Sequence, residues 1–362
     1  MKTVAILTFQ NAKNYGAILQ CYALQEFIKK EFGANVRVLN YTPNRFKLFF
    51  YNPMKPLSAP GIKNKLKAFI KTIVFHNEMK RKSIKYRELD RFINNNLEIT
   101  NPIVGFEKGL DYDLFIAGSD QIWNLELINN DTSYLLGFTN RPKISYAASF
   151  KVEDVDDYAK NKYLQELPKF DGISVRETNL KDYLKKEIGV ESTVVLDPTL
   201  LIGDSFWLAF NLKPIVEQKY VLLYYVNEPV GLINKCFEYA KLHNLVVVSL
   251  NHLRKEKRHY KDISHASIEE FLSLVFNAST VFTTSFHGMA FSIVFEKEFY
   301  FEVPQSSYNN NARLINLANK LGLESRNISL NRETAVDWNS VKQKLNSERE
   351  KSKLFLKKYI VD

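Results

Sequence analysis

The sequence predicts an α/β protein of two doubly wound domains, each a parallel sheet covered by helices. Three observations predict it. Short apolar runs alternate with amphipathic helical patterns along most of the chain, and such alternation argues parallel strands joined by helical crossovers. The pattern lapses at Pro198 and over residues 201–214, then restarts at residue 220. A length of 362 residues suits two domains of ordinary size. The expected units are 1–200, 201–330 and a terminal helix in 331–362. A helical insertion over about 45–95 interrupts the first.

The elements follow in order. Residues 4–9 read as a strand, 17–32 as a helix and 36–39 as the next strand, closing a βαβ unit. Strand 114–117 precedes Gly118-Ser119-Asp120. Strands at 144–148, 172–175 and 193–196 follow, with a helix at 179–187 between the last two. After the lapse, strands at 220–225, 245–250, 280–284 and 299–303 alternate with helices at 231–243, 267–276 and 289–295. A helix at 314–321 and a long charged one at 334–359 complete the chain. Ligands of doubly wound sheets bind beyond the carboxyl ends of the strands. Asn14, Asp120, Arg176 and His287 all fall there, so two facing domains are expected to gather them in one cleft.

Composition narrows the function classes. No stretch approaches 18 uninterrupted apolar residues, so no membrane-spanning helix is expected. The first apolar run is short and meets Gln10-Asn11-Ala12-Lys13 at once, unlike a secretory signal. Cys21 and Cys236 are far apart and form neither a metal nor a redox spacing. Two buried thiols in a reducing, cytoplasmic compartment are expected. His243, His252, His259 and His265 lack metal-site spacing and read as surface histidines.

The formal charge of +10 is concentrated. Residues 45–91 hold 13 basic and 3 acidic residues, so the rest of the chain balances to zero. Ile62, Leu66, Phe69, Ile70, Ile73 and Val74 fall at helical spacing, with Lys63, Lys65, Lys67 and Lys71 between them. A second helical pattern covers 79–93. Two readings stand. The insertion packs its apolar face on the core and solvates its lysines, or it meets an anionic surface, either membrane headgroups or a diphosphate-linked lipid. The second places the protein peripherally at the inner face of the plasma membrane. No nucleic-acid motif accompanies the charge, and nucleic acid is not an expected partner.

Thr283-Thr284-Ser285-Phe286-His287-Gly288 is the most informative stretch. A strand that becomes a helix there builds a small anion site. Ser285 caps the helix, and the free N–H groups of its first turn favour negative charge. His287 adds a hydrogen-bond donor or proton carrier. A plain histidine at a helix start is the alternative.

Further segments accompany it in order: Asn14-Tyr15-Gly16-Ala17-Ile18-Leu19-Gln20, Tyr22-Ala23-Leu24-Gln25, Ala117-Gly118-Ser119-Asp120-Gln121-Ile122-Trp123-Asn124, Ser145-Tyr146-Ala147-Ala148-Ser149-Phe150, Ile173-Ser174-Val175-Arg176-Glu177, Leu196-Asp197-Pro198-Thr199-Leu200-Leu201 and Asn311-Ala312-Arg313-Leu314. This ordered set resembles the polysaccharide pyruvyl transferase family from about residue 14 to 326. The resemblance implies two Rossmann-like domains facing a central cleft, as in GT-B glycosyltransferases. It implies transfer of pyruvate from phosphoenolpyruvate to a saccharide acceptor, lipid-linked or nucleotide-linked, as a cyclic ketal. The setting is surface polysaccharide assembly, exopolysaccharide or capsule.

Roles follow from that resemblance. The matching Arg176 binds the donor; an ion pair with Glu177 or another acid is its plain alternative. One subgroup of relatives carries Arg-Leu-His where this chain has Ser285-Phe286-His287. The histidine carries over and the arginine does not. Arg313 is then the candidate for the missing charge, with Ser285 and Gly288 completing the donor site. His287 is the candidate acid and Asp120 the candidate base, or else a helix N-cap. Asn14, Tyr15, Gly16 and Gln121 line the acceptor side. No metal or cofactor is expected, with phosphoenolpyruvate as co-substrate. Asp154-Val155-Asp156 matches the Asp-x-Asp of metal-dependent glycosyltransferases, although an acidic helix start explains it. A glycosyltransferase using a nucleotide sugar and a non-catalytic glycan binder are the competing functions.

Overall fold

The computed structural model describes residues 1–43, 76–106, 110–303, 312–330 and 334–361. The basic pattern of residues 62–74 and Asn311 lie outside them. The first half holds β1 (Thr3–Leu7), α1 (Tyr15–Phe32), β2 (Asn35–Val38), α2 (His76–Asn96), β3 (Leu114–Asp120), β4 (Lys143–Ala148) and α3 (Asp157–Glu166). It continues with β5 (Ser174–Val175), α4 (Thr178–Tyr183), β6 (Thr193–Val194), α5 (Pro198–Leu201) and α6 (Asp204–Leu208). The second half holds β7 (Tyr220–Tyr224), α7 (Leu232–Leu242), β8 (Val246–Ser249), β9 (Lys261–Asp262) and α8 (Ile268–Asn277). Then come β10 (Thr280–Thr283), α9 (Phe286–Val294), β11 (Glu298–Phe301), α10 (Ala312–Leu321) and α11 (Trp338–Ile360).

Two parallel sheets result. The first has strand order β2-β1-β3-β4-β5-β6 and the second β11-β10-β7-β8-β9. In the first, Val4 pairs with Val36 on one side and Leu114 on the other. In the second, Thr280 pairs with Val221 and Glu298. β4 and β7 are buried at every residue, as strands covered on both faces must be. The order reverses between β1 and β3, and again between β7 and β10. These are the two crevices where a doubly wound sheet takes ligand.

Local chemistry sets the helices that face those crevices. Asn14 caps α1 by accepting from the N–H of Gly16 and Ala17, and Gly33 ends it at φ +63°. α2 forms over the pattern expected at 79–93, with Leu89, Phe92 and Ile93 buried. α9 begins at Phe286, earlier than the pattern at 289 suggests, because Ser285 caps it. Asp156 caps α3 and Asp154 pairs with Lys151, so the Asp-x-Asp is an ordinary helix start.

Residues 201–214 are not a plain linker. α5 and α6 lie at their start, and Trp207 is fully buried. One apolar cluster runs from Ile6 and Ile18 through Trp207 to Phe271 and Phe291, joining the halves. α11 returns to the first half. Lys2 Nζ donates to the Tyr359 carbonyl at 2.7 Å, the Leu196 N–H to Ser352 Oγ at 2.9 Å, and Arg349 Nε to the Leu200 carbonyl at 2.8 Å. No helix among the described residues is long and apolar enough to cross a membrane. Cys21 and Cys236 are free and buried.

Candidate active site

The two crevices meet face to face. Gly16, in the first turn of α1, backs directly onto the ring of His287 in the first turn of α9. A Cβ on Gly16 would stand 1.9 Å from His287 Nδ1. The absent side chain therefore lets two helix starts touch. Gly288 is fixed in the same way, since its Cβ would fall 2.3 Å from Thr283 Oγ1. Thr283 Oγ1 accepts from the Ser285 N–H at 2.9 Å, and Ser285 Oγ from the Gly288 N–H at 3.3 Å.

Charge comes from the first sheet. Arg176 follows β5 and is almost wholly buried. Its Nη2 donates to Ser119 Oγ at 2.6 Å and pairs with Asp197 Oδ2 at 2.7 Å. Its guanidinium lies 4.9 Å from the Phe286 ring centroid, a cation–π contact across the cleft. The acid it pairs with is Asp197, not Glu177. Asp197 caps α5, with Oδ1 accepting from Thr199 N and Oγ1. Its Oδ2 also stands 3.6 Å from His287 Nε2, an ion-pair distance too long for a hydrogen bond. Burial alone pushes the Asp197 carboxyl up. The Arg176 guanidinium, then His287 and Thr199, outweigh it and hold the group well below the usual carboxylate range.

Asp120 ends β3 at φ +76°. No helix follows it, so it is not an N-cap. Its carbonyl accepts from Ile122 N at 2.8 Å and Ser149 N at 3.0 Å, which holds the left-handed turn. The carboxylate faces Arg313 Nη1 at 3.5 Å and Arg176 Nη1 at 3.8 Å. Arg313, at the start of α10, thus reaches the first-sheet cluster. Burial lowers its guanidinium, and Asp120 opposes that. Glu177 accepts from Ser149 Oγ at 2.8 Å. Burial pushes its carboxyl up to about 7, against Arg176 and Arg313.

Several buried nitrogens here have no hydrogen-bond partner among the described residues: Arg176 Nε and Nη1, Arg313 Nε, His287 Nε2 and Gln121 Nε2. A fold rarely leaves such groups unsatisfied without a use for them. A narrow cavity lined by Arg176, Asp197, Phe286 and Arg313 adjoins them. Cationic nitrogens beside a helix start and an imidazole suit a multiply charged oxyanion. No group of three His, Cys, Asp or Glu among the described residues is placed to hold a metal.

One acceptor-side candidate, Tyr15, is placed otherwise than expected. Tyr15 does not open to the cleft. Its hydroxyl donates to the Ala266 carbonyl at 2.7 Å, and its ring stacks on Phe271 at 4.6 Å. The Asn14 carboxamide oxygen is committed to the cap of α1. His252 is likewise not a plain surface histidine, since Nδ1 lies 2.7 Å from Asp262 Oδ2. Sequence reasoning assigned no role to Asp197 or Ser119. Both stand in the ordered segments, and an Asp-Pro pair after a strand is the signature of a capped helix start.

Among solved structures, an MnaA–UDP co-structure from S. aureus aligns over 98% of this chain and 90% of its own. The identity is 10% and the TM-score 0.50. A UDP-GlcNAc 2-epimerase from Methanocaldococcus jannaschii, in complex with UDP-GlcNAc and UDP, aligns over 96% of this chain and 99% of its own. There the identity is 12% and the TM-score 0.48. At 10% identity the likeness to the S. aureus structure shows the fold alone, a GT-B-like pair of domains. No protein of curated function matches the chain. A family model described as polysaccharide pyruvyl transferase matches residues 14–302, a span that holds every site residue above except Arg313. The chain belongs to the polysaccharide pyruvyl transferase family, a family of enzymes.

Proposed function

We propose that the cleft transfers the pyruvyl group of phosphoenolpyruvate to a pair of sugar hydroxyls as a cyclic ketal. The uncommitted nitrogens of Arg176, Arg313 and His287 carry this reading. The donor brings a carboxylate and a phosphate, about three negative charges together. Planar guanidinium groups match either one.

The first sugar hydroxyl adds to C2 of the donor while C3 takes a proton, and the hydroxyl proton passes to a base. The second hydroxyl then replaces phosphate at C2 and loses its proton as phosphate departs. His287 is the acid that delivers the proton to C3, with Asp197 as counter-ion to the imidazolium. Asp120 is the base. Arg176 and Arg313 hold the donor, and the α9 start at Ser285 and Gly288 receives the departing phosphate. Gln121 offers its uncommitted amide to an acceptor hydroxyl, whereas the space at Gly16 is taken by the His287 ring and not by the acceptor. The scheme itself calls for no cofactor.

Acceptor-dependent release of phosphate from phosphoenolpyruvate by the purified protein tests the reading. Calorimetric titration with phosphoenolpyruvate and with a nucleotide sugar separates it from glycosyl transfer. Binding of the nucleotide sugar alone overturns it. The net +10 of residues 45–91 supports an acceptor presented at an anionic surface. Flotation with anionic vesicles at low salt is expected to carry the protein, and Lys63, Lys65, Lys67 and Lys71 changed together to Gln to release it.

A further inference from the structure

We propose that Lys85 forms a second anion subsite, apart from the Arg176–Arg313 cradle, that takes the phosphate of a diphosphate-linked acceptor. The proposal rests on the reading of the cleft as a sugar-accepting site, and its geometry is independent of the donor. α2 reaches both halves. Asp90 pairs with Lys13, next to Asn14. Glu78 pairs with Arg254 and with Lys82, and Arg81 with Asp262 at 2.9 Å. Arg91 meets Glu88 at 3.1 Å and Glu269 at 3.6 Å.

Lys85 stands apart from this compensation. Among the described residues no carboxylate pairs with it. Its ammonium sits 4.0 Å from the centroid of the Tyr15 ring. The acids of the surrounding basic stretch are Glu78, Glu88 and Asp90, all engaged elsewhere. Residues 44–75 contain no Asp or Glu to supply another. A desolvated cation without a counter-ion is costly, and one ring face offsets only part of the cost. Burial, then the charge of Lys82, lowers the ammonium to about 8. The residue as a whole is half-buried.

Its position fits a substrate group. Tyr15 precedes Gly16, which touches His287. Lys85 therefore lies against the first turn of α1, the turn that meets His287, while Arg176 and Arg313 serve the donor. An ammonium is a point charge suited to phosphate. Nucleotide-linked and isoprenoid-linked sugars share the diphosphate, and either would present it here.

The test titrates inorganic pyrophosphate into the parent protein, Lys85→Gln, Lys85→Arg and Arg313→Gln, with phosphoenolpyruvate titrated into the same samples. Lys85→Gln is expected to lose about tenfold to a hundredfold in pyrophosphate affinity. It should keep phosphoenolpyruvate binding and thermal stability, and Lys85→Arg should restore the affinity. Loss in Arg313→Gln alone would place pyrophosphate in the donor cradle and overturn the proposal, as would no pyrophosphate binding by the parent. Failure of the donor reading appears separately, as absent phosphoenolpyruvate binding with the Lys85 effect intact. UDP and farnesyl diphosphate as further probes distinguish the two sources by which one binds more tightly than pyrophosphate.

Discussion

The crevice of the first sheet and that of the second supply different things. The first carries charge: Asp120, Arg176 and Asp197 stand within one network, each with a partner in its own half. The second is almost free of charge. It offers a capped helix start, two hydroxyls and one imidazole. The two crevices meet through three contacts, Gly16 against His287, Asp197 facing His287 and Arg176 over Phe286. Charge is held where a buried network fixes it, and the imidazole is brought to it by the facing domain. Arg313 crosses in the same sense, from the second half to Asp120.

The division can be broken from either side. On the second, His287→Gln keeps some hydrogen bonding but removes proton transfer. Turnover is expected to fall about 10²–10⁴-fold with the fold intact. An unchanged rate in a phosphate-release assay would leave His287 a structural residue. On the first, Asp197→Ala strips the counter-ion from a buried arginine. Such a break costs about 3–5 kcal/mol, read by urea unfolding. The Asp197 carboxyl titrates below its unfolded value of 3.8. Its contribution is therefore fully present above that pH and is lost as pH falls through the folded value. Parent and Asp197→Ala should converge in strong acid.

Smaller changes sharpen the same contrast. Arg313→Ala should weaken phosphoenolpyruvate binding by about 1.5–3 kcal/mol, measured by calorimetry. Intact affinity would mean that Arg313 does not replace the charge missing at Ser285. Gly16→Ala drives a methyl into the imidazole and should cost about 1–3 kcal/mol as the domains are forced apart. Its thermal midpoint and its turnover should fall together. Ser285→Ala removes one cap from α9, about 0.5–2 kcal/mol of stability, and should move neither domain.

Much of this was legible along the chain. Strand and helix periods gave most of the sheets within a residue or two, because the central parallel strands are buried on both faces. Ser285 announced its cap, since a cap is a contact over three residues, whereas the cap that Asn14 makes on α1 was not foreseen. The extension of β3 to Asp120 was less visible. It depends on Gly118, whose Cβ would fall 2.5 Å from the Tyr146 carbonyl of the neighbouring strand. The two-residue β9 carries too little periodicity to be seen.

By itself the sequence determined the fold class, the family, the capped helix start at Ser285 and the position of the ionisable groups at strand ends. Those follow from local period and from short motifs, which act over a few residues. Only the tertiary structure decided the partners. It paired Arg176 with Asp197 rather than Glu177, turned Tyr15 into the packing between halves and brought Arg313 to Asp120. Each of these joins side chains from separate elements, and each depends on ångström distances that many sheet arrangements would not give. A charge's position in the chain fixes which strand presents it. What it meets is settled only when the two sheets close on each other.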